Sequence, residues 1–143
     1  MNRDIIIKKL ESLARCVQRI EKRLPAEPES LAHDYDAQDI ITVNLERAVQ
    51  LCVDIAAHLI SEREARIPET MAGLFRGLAE CGIIDNELAA SLAKAVGLRN
   101  LAVHEYSAID WQRLGLYLPA GLDDFRRFAR QLCVVLGMDE KAE

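Results

Sequence analysis

The sequence predicts an all-α fold, an up-and-down bundle of about five helices. Three observations carry this. Half of the 143 residues are hydrophobic while only 5% are aromatic, and Ala, Leu, Ile, Glu and Arg recur throughout, a balance that favours helix formers over strand formers. Apolar residues recur at spacings of three and four over long stretches. Proline, glycine and short polar clusters punctuate those stretches at helix-length intervals. The length fits one compact domain spanning 1–143, with residues 139–143 expected to fray as a charged tail.

The elements follow in order. Ile6, Leu10, Leu13, Val17, Ile20 and Leu24 form one stripe and define the first helix. Pro25 and Pro28, with acidic residues and Ser30, make the first loop. A second helix is expected over about 36–64, with Ile40, Ile41, Val43, Leu45, Val49, Cys52, Val53, Ile55, Ala56, Leu59 and Ile60 covering more than one face. Such a helix is buried on two sides, either as the centre of a monomeric bundle or against a second copy of the chain. Pro68 and Glu69 open a third helix carrying Met71, Leu74, Phe75 and Leu78, and Gly82 ends it. Asp85 caps a short fourth helix with a stripe of Leu88, Leu92, Ala95 and Val96 before Gly97. After the segment 99–106, Ser107 and Asp110 begin a helical stretch with Trp111, Leu114 and Leu116, which Pro119 and Gly121 are expected to interrupt. The last helix carries Leu122, Phe125, Phe128, Leu132, Val135 and Leu136.

Charge and cysteine usage narrow the function classes. A net charge of −5 argues against a broad basic surface for nucleic acid, yet leaves room for an enzyme that acts on RNA through a local cationic site. Cys16, Cys52, Cys81 and Cys133 lie far apart with no CxxC pair, so a metal centre is not expected. His33, beside Asp34 and Asp36, reads as a solvated loop residue, and His58 as a packed or interfacial one. The N-terminal residues lack a signal-peptide pattern and no apolar run is long enough to span a bilayer, so a cytoplasmic protein is expected.

His104 is the histidine flanked by other reactive types, with Arg99 five residues before it and Tyr106 two after it. At about 100° per residue, a regular helix puts Arg99 and Tyr106 on nearly the same face and His104 far round from both. Either the helix ends between Arg99 and His104, or two copies of the segment meet across a symmetry axis. Such a pocket is competent for RNA cleavage without metal. A neutral imidazole takes the proton of a ribose 2′-hydroxyl, the oxygen attacks the adjacent phosphorus, and a guanidinium fork binds the charge that builds up. Each residue also has a structural reading: Arg99 paired with Glu105 or a helix C-terminus, His104 partly buried and satisfied, and Tyr106 a core ring with its hydroxyl paired.

The run Gly97-Leu98-Arg99-Asn100-Leu101-Ala102-Val103-His104-Glu105-Tyr106, followed by Ile109-Asp110, resembles the signature of HepT-type HEPN toxins, Arg, four residues, His, one residue, Tyr. Arg47, the run Asp54-Ile55-Ala56-Ala57-His58-Leu59-Ile60, Pro68-Glu69-Thr70, Leu78 and Gly82-Ile83-Ile84-Asp85 are similar to the family pattern as well. The loop 26–33 falls outside it. The resemblance implies a homodimeric, metal-independent endoribonuclease toxin of a type VII-like toxin–antitoxin system, with Arg99 and His104 catalytic and no cofactor for cleavage. It also implies a nucleotidyltransferase antitoxin of the MNT type as partner, which uses ATP to attach AMP to the motif tyrosine, here Tyr106. Asn100, Arg47 and Asp54 are candidate supporting residues. The alternative is a noncatalytic HEPN module that binds a nucleotide or a nucleotidyltransferase.

Overall fold

The computed structural model describes residues 3–63 and 66–137, which form five α-helices and two short 3-10 helices with no strand among them. α1 spans Arg3–Arg23, α2 Tyr35–Glu62, α3 Met71–Glu80, α4 Asn86–His104 and α5 Trp111–Val135. Residue 64, the expected end of the second helix, and the tail 139–143 lie outside the described residues.

Side-chain links fix the up-and-down arrangement. Lys9 near the start of α1 pairs with Asp54 near the end of α2 at 3.6 Å. Tyr106, just past α4, reaches Asp39 in the first turns of α2. Gln131 near the end of α5 bonds Asp85, the cap of α4. The α1 stripe is buried as its spacing predicts, from Ile6 to Ile20, with Cys16 added and Leu24 half-buried. α2 is the central helix: it packs against α1, α3, α4 and α5, so both its apolar sides are covered within one chain. Val43 is the member of its expected set left exposed.

Four expectations are corrected. The first loop contains a 3-10 helix over Pro28–His33 whose Leu31 is fully buried, and Gln38 Nε2 donates to the Leu31 carbonyl at 2.8 Å. This helix rests on α5, where a Cβ at Gly115 would stand 3.0 Å from the Pro28 carbonyl oxygen. α3 begins at Met71 rather than at Pro68, because Thr70 caps it by accepting from the Gly73 N–H at 3.0 Å. α4 runs through Gly97, whose missing side chain faces open space, and so is not short. Pro119 sits inside an unbroken α5. A proline there costs about 3 kcal/mol. Leu114, Leu118, Leu122, Phe125, Phe128 and Leu132 form a fully buried stripe on either side of it, each contributing about 2 kcal/mol on burial, and that sum wins.

The remaining boundaries follow the sequence. Gly82 adopts φ 78° after α3, letting the Ile83 N–H return to the Leu78 carbonyl at 2.9 Å. Phe75 of α3 meets Phe128 of α5 edge to face at 6.2 Å. Among the described residues, no helix is long and apolar enough to cross a membrane.

Candidate active site

The motif segment occupies the open end of α4. Leu92, Ala95 and Val96 anchor the helix in the core and Leu98 packs partly against it, so the backbone stays helical past Gly97 to His104. There Glu105 turns out of the helix at φ −141° while its N–H still bonds the Leu101 carbonyl at 2.8 Å. A single 3-10 turn over Tyr106–Ala108 follows, and Asp110 caps α5 by accepting from the Arg113 N–H at 3.1 Å. Helix end, turn and cap together fix where Tyr106 leaves the backbone.

Because α4 is unbroken between them, Arg99 and His104 project about 140° apart around one helix. The first route to convergence, a helix ending between them, is therefore closed. Among the described residues, no hydrogen bond or ion pair links Arg99 to His104 or His104 to Tyr106.

Arg99 is half-buried and does not pair with Glu105. Its Nη1 donates to Asn100 Oδ1 at 3.1 Å, while its Nε is buried with no partner among the described residues. A guanidinium held this way has donors left over for an incoming acceptor. His104, the last residue of α4, is exposed rather than buried and satisfied.

Tyr106 is 39% exposed, so it is not a core ring, but its hydroxyl is paired. It donates to Asp39 Oδ1 at 3.0 Å, and its ring meets Trp111 edge-on at 5.3 Å. Partial burial pushes the phenol up from its ordinary pKa, and the Asp39 hydrogen bond adds to this while the Thr42 hydroxyl offsets part of it. The group is thus a neutral phenol at physiological pH, aimed at a carboxylate. Asp39 and Thr42 were absent from the sequence reading, because Asp39 lies 67 positions from Tyr106 and belongs to no motif.

Arg47 and Asp54 share a face of α2, as their spacing implies, but they line a groove between α1 and α2 together with Arg15 and Arg19. Among the described residues, no hydrogen bond or ion pair links either to Arg99 or His104. Asp54 is held by Gln50 Nε2 at 2.9 Å and by Lys9. His58 stands 3.6 Å from Glu62. Cys16 and Cys52 are buried free thiols, and burial raises the pKa of both.

An all-α bundle that carries an Arg-x4-His-x-Tyr segment at the end of its fourth helix defines a class, and the comparisons agree on it. The family model described as ribonuclease HepT-like matches residues 13–132, and the chain belongs to that family. Over 125 residues it is 34% identical to the mRNA nuclease HepT of Shewanella oneidensis, covering 87% of this chain and 93% of that protein. It is 27% identical over 128 residues to the tRNA nuclease HepT of Aphanizomenon flos-aquae, covering 90% of this chain and 87% of that one. Among solved structures, the tri-AMPylated Shewanella oneidensis HEPN toxin in complex with MNT antitoxin superposes with a TM-score of 0.83 at 33% identity, covering the whole of both chains.

Proposed function

We propose that this protein is a metal-independent endoribonuclease toxin that works as a homodimer and is silenced by AMPylation of Tyr106. The observation that carries the reading is the pair at the end of α4: a half-buried Arg99 with an unused Nε donor and an exposed His104 with no partner among the described residues. Since one helix holds them apart, the working site is composite, built where two α4 ends face each other across a two-fold axis.

In that cleft one neutral His104 imidazole takes the proton of the ribose 2′-hydroxyl. The 2′-oxygen bonds to the adjacent phosphorus, and the bond from phosphorus to the 5′-oxygen breaks. The partner subunit's His104, protonated, supplies the proton to the departing 5′-oxygen. Arg99 binds the non-bridging oxygens as their charge grows, and Asn100 holds its Nη1. The products are a 2′,3′-cyclic phosphate and a 5′-hydroxyl.

The switch is Tyr106. An MNT-type antitoxin brings ATP, the phenol oxygen bonds to the α-phosphorus, and pyrophosphate leaves. The added anion then blocks the cleft and pairs with the arginines. The relative solved with MNT antitoxin and three AMP groups supports this reading.

The test is expression of the wild type and of His104→Ala, following growth and RNA integrity. The wild type is expected to arrest growth and degrade RNA, and His104→Ala to do neither. Two chains equally harmless, or equally toxic, would overturn the assignment.

A further inference from the structure

The proposed nuclease site has a charge problem. Asp39, Glu105 and Asp110 stand at the motif end against Arg99, with Lys94 and Arg113 lining the neighbouring cavity between α4 and α5, and the molecule carries a net charge of −5, so the motif end is a modest anchor for a polyanion. A closer grouping of arginines lies elsewhere. Between α1 and α2 opens a cavity of about 400 Å³ whose rim carries Arg15, Arg19 and Arg47, with the buried Asn44 in its wall. All three line the same cavity, and each pulls the pKa of the Cys16 thiol in its wall down against the larger rise caused by burial. Among the described residues none of the three makes an ion pair, and Arg15 has only a hydrogen bond to Ser12 at 2.9 Å. Asp54, the one carboxylate in the lining, is already paired with Lys9. Arg126 and Arg127, by contrast, are tied to carboxylates. Three unneutralised guanidiniums around a concave surface suit the phosphate oxygens of a nucleic-acid backbone.

Position supports the same occupant. Arg47 follows Asp39 by eight residues on α2, which places it about 12 Å further along the helix and about 80° round it, a little under a quarter turn away. A strand whose scissile phosphate sits at the motif end thus reaches the groove by following α2. We propose that the α1/α2 groove is a phosphate-binding exosite for the RNA substrate, in which Arg15, Arg19 and Arg47 hold backbone phosphates away from the scissile bond. This rests on the nuclease reading given above.

The experiment measures binding and cleavage separately. Binding of a fluorescent 12-nucleotide single-stranded RNA is followed in the cleavage-silent His104→Ala protein across a salt series, with and without Arg15→Ala, Arg19→Ala and Arg47→Ala together. Each phosphate contact on a single strand contributes about 0.7 to the slope of log affinity against log salt, so the triple substitution is expected to lower that slope by about 2. Each single Arg→Gln is expected to lower it by about 0.7, which keeps the test valid if the triple variant folds poorly. An unchanged slope in the singles overturns the proposal. So does an ATP-binding signal that the triple variant loses while its RNA binding is intact, which would mark a free-nucleotide pocket. In the active protein, cleavage of a dinucleoside monophosphate, whose one phosphate is the scissile one, is expected to be unaffected by the triple substitution, while kcat/KM on long RNA falls at least tenfold. Equal losses on both substrates count against an exosite. Failure of the wild type to cut either RNA, with arginine-dependent binding retained, would instead remove the nuclease reading alone.

Discussion

Two tyrosines, one at the motif and one packed against the core, are governed by opposite relations to a hydroxyl partner. Tyr106 has Asp39 at 3.0 Å, so in the proposed AMPylation this carboxylate positions the phenol and accepts its proton as the oxygen attacks. Incubation with the antitoxin and ATP is expected to raise the intact mass by AMP units. Tyr106→Phe abolishes the gain, and Asp39→Asn slows it by about tenfold or more while RNA cleavage is kept. A mass gain in Tyr106→Phe would put the acceptor elsewhere. Tyr117, by contrast, has its hydroxyl buried without a partner among the described residues, and burial together with the Asp124 charge pushes its pKa up to about 12. Tyr117→Phe is therefore expected to raise stability by up to about 1 kcal/mol in thermal melts. The pH dependence has a definite sign. With its folded-state pKa raised above the unfolded value near 10, the wild type loses stability as pH rises from about 10 toward about 12, because the unfolded chain gives up the proton first; the phenylalanine variant should lack that loss. Arg99, His104 and Tyr106 stand out in sequence as a candidate site because they form one short motif. Asp39 was not, since what makes it relevant is the packing of α2 beside α4.

Helix ends were legible where a side chain makes the cap and misread where burial decides. Asp85 is the clear case: it accepts from the Leu88 N–H at 2.7 Å and from Gln131 Nε2 at 2.7 Å, with Arg127 nearby. The Leu88 N–H, then Gln131, hold its pKa below the ordinary carboxylate range. Asp85→Ala is expected to cost about 1 kcal/mol, a fall of about 3 °C in Tm measured at neutral pH. The gap between the two proteins should narrow as pH falls through the lowered Asp85 value, because the capping charge disappears from the wild type. Gly97 and Pro119 misled the reading for one shared reason. Local propensity treats both as breaks, but each sits in a helix whose neighbours are deeply buried, and tertiary burial outweighs a cost of about 1 to 3 kcal/mol. The 3-10 helix at Pro28–His33 was hidden for a related reason, since a single buried Leu31 in a polar loop has no periodicity to reveal it.

For the whole molecule, the sequence left open whether α2 is buried by its own chain or by another. The structure covers α2 within one chain, which moves the proposed two-fold contact to the motif end, where Val103 is 43% exposed and Val43 41%. Sedimentation is expected to give twice the mass of the chain. Val103→Asp is expected to shift it toward monomer and to lower RNA cleavage in parallel; a fully active monomer would remove the composite site. The ends of the RNA products report on the proposed cleavage chemistry itself. Purified wild type and His104→Ala are incubated with a defined RNA in excess EDTA, and the products are read by mass spectrometry. The account predicts fragments ending in 2′,3′-cyclic phosphate and 5′-hydroxyl from the wild type and no cleavage by the variant. Cleavage abolished by EDTA, products ending in 5′-phosphate, or equal cleavage by His104→Ala would contradict it.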